Sequence, residues 1–335
     1  MLIRVSLEQY EKEYLSPYAM LSANSKGRLV EEEQCDIRPV FQRDRDRIIH
    51  SKSFRRLKDK TQVFLSPDGD HYRTRLTHTL EVSQTGRTIA KALRLNEDLV
   101  EAIALGHDLG HTPFGHAGER ALNKVCPFGF EHNVQSVRTV DILEKDGQGL
   151  NLTYEVRDGM LNHQTKCTPA TLEGKVVRFA DKIAYIHHDM DDALRAGILT
   201  EEDVPKEIAD VIGHTCTDRM DSFIHNIVFT SQGKNDILMS EDVDKAFKAM
   251  RQFMFERVYT NPVAKAEEGK AETLVEILYD YYLHHKDKLP EDCLALLDKG
   301  EELERVVCDH ISGMTDRYAV AKFEEIYIPI GWNKL

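Results

Sequence analysis

The stretch HDLGHTPFGH, residues 107–116, places three histidines and an aspartate within ten residues. Buried polar groups cost free energy unless hydrogen bonds or a bound ion satisfy them. The preceding NEDLVEAIALG offers Asn96 as an N-cap and apolar residues at Leu99 and Ile103, which predicts a helix that ends near Gly110. A metal ion, a phosphate or a solvated loop would each account for the stretch.

Most of the chain has the apolar periodicity of helices. VDKAFKAMRQFMFERVY places Val243, Phe247 and Met250 at helical spacing, and TLVEILYDYYLHHKDKLP continues this pattern up to Pro290. We therefore predict an all-α fold with at most a few short strands. The polar AKAEEGKAE, residues 264–272, predicts an exposed connection between helices.

The length of 335 residues allows one large core or two joined ones. We predict a basic N-terminal segment (1–60) packing on a catalytic core (61–200), followed by a helical C-terminal region (201–335) continuous with that core. No run of eighteen apolar residues predicts a membrane span. Acidic residues near the N-terminus argue against an export signal, and six scattered cysteines without a CxxC suit a reducing cytoplasm.

Charge is unevenly distributed along the sequence. The net charge is −13, yet residues 38–60 contain nine Lys or Arg and three Asp, a local charge of +6. A basic block in an acidic protein indicates either a local anionic ligand or a helix face of alternating charges. The acidic balance opposes general nucleic-acid binding.

Histidine together with carboxylate is a usual donor set for a borderline or hard divalent metal. His107 and Asp108 are about 100° apart on a helix, so they can share an ion only at its end, which Gly110 and TPFG provide. Two further ligands are needed, and the candidates are His78 and Asp181. Asp181 begins a polar stripe at helical spacing with Tyr185, His188, Asp189 and Asp192. Taken alone, that stripe predicts a solvent-facing side.

The ordered set of His, His-Asp and Asp resembles the HD-superfamily phosphohydrolases, and within them the dGTPase-type deoxynucleotide triphosphohydrolases. The blocks that carry the resemblance run from about residue 38 to residue 320, namely FQRDRDRIIHSKSFRRLKDKTQVF, TRLTHTLEVSQTGRTIA, GHDLGHTPFGHAGERALN, FEHNVQSVR, KVVRFADKIAYIHHDMDDALRAGIL and CDHISGMTDRYA. The resemblance implies that His78, His107, Asp108 and Asp181 hold one divalent ion. Mg²⁺ or Mn²⁺ is expected, and Fe, Ni or Zn also suits histidine-containing sites.

The implied reaction hydrolyses a deoxynucleoside triphosphate, dGTP or another dNTP, to the deoxynucleoside and triphosphate by attack at the α-phosphorus. A proton must be moved for the alkoxide leaving group, and histidine suits this task. A helix beginning after TPFG would place His116 and Glu119 on one face, and the resemblance points to the same dyad. Whether His116 acts as acid or base stays open. By the same resemblance, His111 and His132 lie near the phosphates.

Cations must face the triphosphate, and the candidates are Arg75 and Lys182. For the sugar, the resemblance implicates Gln62, Tyr185 and Asp189. A tyrosine packed under the deoxyribose would exclude a 2′-hydroxyl. His71, His163, His187, His284 and His285 receive no role.

The basic FRRLKDK, residues 54–60, could bind an activating dNTP at a subunit interface, because several members of the family are oligomers regulated by dNTPs. It could equally form ion pairs. Asp316 and Arg317 in SGMTDRYA are expected to pair structurally. Two alternative functions remain: a phosphomonoesterase or phosphodiesterase acting on another nucleotide, and a nucleotide-sensing or nucleic-acid-binding protein.

Overall fold

A computed structural model of the chain describes residues 2–62, 73–259 and 262–329, and His71 lies outside them. Within these ranges the only β pairings are isolated bridges at Arg28–Thr153 and Thr61–Thr74, so the predicted all-α fold is confirmed. The helices are α1 Ile3–Tyr14, α2 Val40–Ile49, α3 Lys52–Arg56, α4 Arg75–Leu93, α5 Glu97–Gly106, α6 Gly115–Val125, α7 His132–Arg138, α8 Glu144–Gly147, α9 Tyr154–Leu161, α10 Leu172–Arg195, α11 Lys206–Ile212, α12 Cys216–Ser231, α13 Glu241–Met254, α14 Pro262–His284, α15 Glu291–Asp298, α16 Leu303–Ser312 and α17 Asp316–Tyr327.

Helix α5 lies at the centre of the larger of two hydrophobic clusters, and it packs against α2, α4, α9 and α10. Nearly all of its residues from Leu99 to Gly106 are buried, as expected for a helix that is apolar on every side. Glycines on its neighbours allow this close packing. A Cβ on Gly86 of α4 would lie 2.9 Å from Val100 Cγ1, and one on Gly159 of α9 would lie 2.5 Å from Ile103 Cδ1.

The second cluster joins α6 to α14, α15, α16 and α17. Helix α14 is continuous, so the prediction of an exposed connection at residues 264–272 is wrong. Part of the polarity of this stretch comes from a carboxylate stripe that pairs with cations on α6. The pairs are Arg120–Glu268 at 2.6 Å, Arg120–Glu272 at 2.7 Å and Lys124–Glu276 at 2.9 Å.

Most cations of the basic block at residues 38–60 face carboxylates. The pairs are Arg38–Asp46, Arg43–Glu32, Arg45–Asp98, Arg45–Glu101, Arg47–Glu32 and Lys52–Asp146. The interpretation as a face of alternating charges therefore accounts for this part of the block.

The larger hydrophobic cluster runs from Phe41 to Val258, so it crosses both of the predicted domain boundaries, at residues 60/61 and 200/201. These boundaries stay predictions. In the described ranges, no helix has the length and apolarity needed to cross a bilayer.

Glu173, in the first turn of α10, is a fully buried carboxyl group that ties three segments together. Its Oε1 accepts hydrogen bonds from the backbone nitrogens of Met20, at 2.9 Å, and Asn96, at 3.1 Å. Within the described residues its Oε2 has no hydrogen-bond partner. Burial raises the pKa of Glu173 to about 7, because no cation offsets the loss of hydration.

We predict that Glu173→Gln stabilises the protein at pH 8 and much less at pH 5. Between the ordinary carboxyl pKa and pH 7 the unfolded chain releases a proton that the folded chain retains, so native stability falls as pH rises through that window. The amide mimics the protonated acid and removes this loss, which is on the order of 3 kcal/mol above pH 7. Urea unfolding at both pH values measures the effect, with the exposed Glu207→Gln as control. An equal change at both pH values would contradict the prediction.

Candidate active site

Three helices that pack on one another carry the predicted metal ligands. His78 lies one turn into α4, His107 is the C-cap of α5, and Asp181 lies near the middle of α10. Each helix begins with a side-chain cap, from Thr74, Asn96 and Thr171 respectively. Because α4 and α10 both pack against α5, the three ligand-bearing segments converge at one place.

The four predicted ligands, His78, His107, Asp108 and Asp181, lie together. His78 Nε2 is 3.2 Å from Asp181 Oδ1 and 4.0 Å from Asp108 Oδ2. His107 Nε2 is 3.4 Å from Asp108 Oδ1 and 3.7 Å from Asp181 Oδ1. Ligand atoms about 2 Å from a shared ion would have separations of this order.

The orientation of His107 fits coordination by Nε2. Its Nδ1 donates a hydrogen bond to the carbonyl oxygen of Ala104 at 2.6 Å, which leaves the lone pair on Nε2. Nε2 is buried and has no hydrogen-bond partner among the described residues. Arg75 fixes Asp108 from the opposite side, since its Nη1 donates to Oδ2 at 2.6 Å.

The charges of the cluster also favour a cation. Burial opposes ionisation of Asp108, but His107, His111 and Arg75 hold the pKa of that carboxyl well below its ordinary value. Burial likewise opposes ionisation of Asp181, and the neighbouring His107 and His78 rings lower its pKa. Burial alone would lower the pKa of His107, yet the two carboxylates raise it to about 9. Two imidazoles and two carboxylates thus fit a divalent metal ion, which would displace the His107 proton.

The turn after His107 is held by α7 rather than by its own helix. Ser136 Oγ donates to the carbonyl oxygen of His107 at 2.7 Å and accepts from the nitrogen of Gly110 at 2.9 Å. The backbone of α7 comes so close that a Cβ on Gly110 would lie 2.2 Å from Ser136 N. Glycine is therefore required at this position by packing.

Two polar residues distant in sequence hold the rest of the HDLGHTPFGH segment. The buried Lys60 donates its Nζ protons to the carbonyl oxygens of His111 and Ser312, the latter at 2.7 Å. Asp316 accepts from the backbone nitrogens of Thr61 and Phe114, each at 2.9 Å. Phe114 has a φ of 63°, so this bond helps to hold a left-handed residue directly before α6. Asp316 thus holds two backbone segments at the site, whereas the sequence predicted that it pairs with Arg317.

Helix α6 begins directly after that residue and carries His116 and Glu119. His116 Nδ1 is 3.2 Å from Glu119 Oε2, and the His116 side chain is 55% exposed. Glu119 also accepts from the Nδ1 and the backbone nitrogen of His132, both at 2.9 Å. Burial opposes ionisation of Glu119, but its bonds to these two imidazoles hold its pKa far below the ordinary value. Glu119 is therefore a carboxylate.

His132 is bonded through both ring nitrogens. His163 donates from Nδ1 to the carbonyl oxygen of Met160 at 2.7 Å, and burial lowers the pKa of His163 to about 4. Its Nε2 lies 3.2 Å from Nε2 of His132. Nδ1 of His132 meets the Glu119 carboxylate, so both ring nitrogens of His132 have polar partners.

His111 has a different character. Its ring stacks on that of His132, with centroids 4.0 Å apart, and its Nε2 lies 3.4 Å from Asp108 Oδ1. Burial, together with the charges of Arg75 and His132, holds the pKa of His111 well below its ordinary value. His111 is therefore a neutral ring between the carboxylate of a predicted metal ligand and the ring of His132.

One cavity of about 430 Å³ is lined by three of the predicted ligands, His78, Asp108 and Asp181, and by His111, His116 and His132. Among the predicted substrate residues, Gln62, Arg75, Lys182 and Tyr185 also line it. Asp189, one turn beyond Tyr185, is completely buried and is not among the lining residues.

Sequence reasoning missed five lining residues, namely His163, Gln164, Thr165, Lys166 and Arg251. His163 lies just after α9, and Arg251 lies on α13 within a stretch that was read as core. Their sequence neighbours give no pattern that distinguishes them from surface residues. Only the packing of α9 and α13 against α10 brings the two segments to the cavity.

Comparisons with known proteins agree with this geometry. The HD domain family matches residues 75–186, which contain all four predicted ligands, and a phosphohydrolase-associated domain matches residues 237–325. A phosphohydrolase from Bacteroides thetaiotaomicron VPI-5482 has a crystal structure that superposes with a TM-score of 0.52 at 16% identity, covering 84% of this chain and 67% of that one. This likeness concerns the fold alone.

Full-length relatives are much closer. A deoxyguanosinetriphosphate triphosphohydrolase-like protein of Caldanaerobacter subterraneus subsp. tengcongensis is 55% identical over 332 residues, covering 99% of this chain and 98% of the relative. One from Clostridium tetani is 48% identical over 340 residues, with 98% and 97% covered. These matches confirm the resemblance seen in the sequence: the chain belongs to the family of deoxyguanosinetriphosphate triphosphohydrolase-like proteins and is an HD-domain phosphohydrolase.

Proposed function

We propose that the protein hydrolyses deoxynucleoside triphosphates to deoxynucleoside and triphosphate, with Mg²⁺ or Mn²⁺ held by His78, His107, Asp108 and Asp181. The observation that carries the proposal is the convergence of these four ligand atoms at a cavity that is also lined by His116, the partner of Glu119. The names of the relatives support the substrate class, since each is described as dGTPase-like.

Cations on the cavity wall suit a polyphosphate. In the described part of the chain, neither Lys182 nor Arg251 forms an ion pair with a carboxylate. Burial, with a contribution from the charges of Arg178 and Arg251, lowers the pKa of Lys182 to about 8. An anionic ligand would relieve this repulsion and favour the charged lysine. Arg75 lies at the cavity floor, where its bond to Asp108 makes it a positioning group for that ligand as well.

When bound, a divalent ion supplies an activated water and neutralises charge on phosphoryl oxygens. Glu119 orients the His116 ring through Nδ1, so Nε2 is the nitrogen that meets the reacting atoms. There it exchanges a proton with the leaving 5′-oxygen or with the attacking water. His132, held by Glu119 through Nδ1, lines the cavity beside the same phosphate.

For the sugar, we propose contacts from Gln62 and Tyr185, both of which line the cavity. A side-chain oxygen of Gln62 is buried without a hydrogen-bond partner among the described residues, so a ligand hydroxyl could satisfy it. Asp189 is proposed to act behind Tyr185, because it is completely buried on the same helix.

Regulation by a second dNTP and assembly into a homo-oligomer are further proposals, and they rest on the resemblance. The contacts of Lys60 and Asp316 offer a route by which the N-terminal and C-terminal segments could alter the HDLGHTPFGH segment.

We expect the purified protein, with Mg²⁺ or Mn²⁺, to release deoxynucleoside and triphosphate from at least one dNTP. Each dNTP is assayed alone and in pairs, because a regulated enzyme can be inactive with a single nucleotide. Chromatography of the products distinguishes this function from a phosphomonoesterase, which would release orthophosphate. Release of neither deoxynucleoside nor triphosphate under any of these conditions would falsify the proposal.

Asp181→Ala is expected to abolish metal binding and turnover together. The substitution removes one of two carboxylates from a cluster in which Asp181 contacts both histidine ligands. Mn²⁺ binding by titration calorimetry and dNTP turnover are the two measurements, and the exposed Asp221→Ala on α12 is the control. A variant that binds Mn²⁺ with unchanged affinity would remove Asp181 from the ligand set.

His116→Ala is expected to retain metal affinity and lower kcat by about 100-fold or more, the usual scale for loss of acid–base catalysis. Glu119→Gln should give a smaller loss, because an amide can still accept from His116 Nδ1. His225→Ala, an exposed histidine on α12, is the matched control and should be silent. An unchanged kcat in His116→Ala would rule out the proton-transfer role and leave the metal assignment standing.

A further inference from the structure

His78 has a polar neighbour that none of the predicted roles uses. His188 lies on α10, two turns after Asp181, and its side chain is only 2% exposed. Its Nδ1 is 3.4 Å from Nδ1 of His78. On its other side, His188 Nε2 is 2.6 Å from Oε2 of Glu81, which lies one turn after His78 on α4. Helices α4 and α10 therefore enclose a row of three titratable side chains behind one predicted metal ligand.

The two contacts allow one assignment of protons that is compatible with metal binding. The 2.6 Å separation of His188 Nε2 from Glu81 Oε2 is a close ion-pair contact rather than an aligned hydrogen bond, and it favours a proton on Nε2. Coordination by His78 Nε2 requires a lone pair there, which places the proton of the neutral ring on Nδ1. The acceptor facing that proton is the Nδ1 lone pair of His188.

We propose that His188 and Glu81 are positioning residues that select the Nδ1–H tautomer of His78 and so make its Nε2 available to the metal. In His107 the same tautomer is selected by the hydrogen bond from Nδ1 to the backbone carbonyl oxygen of Ala104. The two histidine ligands are thus oriented by different means, one by the main chain and one by a side-chain relay. The Glu81 end of this relay is 41% exposed.

A carboxylate at the end of the relay has a physical consequence. It orients the His188 ring so that its Nδ1 lone pair faces Nδ1 of His78. Outer partners of this kind are typically worth about 10–100-fold in metal affinity. This inference rests on the metal site of the proposed function and is independent of which nucleotide is hydrolysed.

The test compares Mn²⁺ affinity, by calorimetry without nucleotide, in four variants of the full chain. His188→Leu removes the acceptor and should weaken binding about 10–100-fold. His188→Asn places an amide oxygen near the position of Nδ1 and should restore binding to within about threefold of the original protein. Glu81→Leu should give a partial loss, and Glu81→Gln, which keeps a carbonyl acceptor, a smaller one. The control is His187→Leu on the same helix, which should bind normally.

Two results would overturn the proposal. One is unchanged Mn²⁺ affinity in His188→Leu with a circular dichroism spectrum of the folded protein. The other is a folded His188→Asn that binds as weakly as the leucine variant, since His188 would then matter for packing and not as an acceptor. If His188→Leu does not fold, the asparagine and Glu81 variants decide the matter. Normal Mn²⁺ binding by a protein inactive on every dNTP would refute the proposed function and leave this inference intact.

Discussion

The burial of two carboxylates, Asp108 and Asp181, determines how the rest of this centre is built. A buried anion is tolerated only when paired charges and hydrogen bonds replace its lost hydration. Asp108 has Arg75 on one side and two imidazoles on the other, whereas Asp181 contacts His78 and His107. In the absence of an ion, a proton on His107 supplies part of the missing positive charge, as its raised pKa indicates. A divalent cation would satisfy the same demand more fully, because all four groups could coordinate it at once.

The helices alone would not suffice to hold this arrangement. His107 and Asp108 directly follow α5. The chain then continues in a turn to Phe114, which has a left-handed backbone conformation and directly precedes α6. Side chains from elsewhere in the chain fix that turn, since Ser136, Lys60 and Asp316 each bond to its backbone. Burying Lys60 is unfavourable, and desolvation lowers its pKa well below the ordinary value. Its bonds to two carbonyl oxygens connect the metal-binding turn to the end of α16.

The sequence predicted those features of the site that depend only on residues close together in the chain, namely helix caps, helix ends and side chains on one helix face. Asn96 caps α5 as expected, the helix ends where the glycine-rich segment begins, and a new helix brings His116 to Glu119. The all-α class followed from periodicity in the same way. None of this required knowledge of which helices are neighbours.

The sequence around a polar residue could not predict whether its side chain is buried. The polar stripe on α10 predicted a solvent-facing side, yet His188, Asp189 and Asp192 are buried, because α10 packs against α4 and α12. The polar stretch on α14 was predicted to be an exposed connection. Its carboxylates instead form ion pairs with a cation on α6, and polar residues facing another helix look the same in sequence as those of a loop. A polar stripe has the same appearance in sequence whether it meets water, another helix or a metal. Its partner is decided by tertiary packing.

The distribution of charge in the cavity adds a constraint on the ligand. The positive group at the floor, Arg75, is bonded to a carboxylate, so its charge is largely compensated there. On the wall, Lys182 and Arg251 have no ion-pair partner within the described residues, and an added anion would relieve the repulsion that lowers the pKa of Lys182. A polyanion spanning wall and floor therefore gains more than a neutral nucleoside of similar size. Hydrolysis at the α-phosphorus would convert the first kind of ligand into the second, so the same charges that favour substrate binding would leave the nucleoside product weakly held.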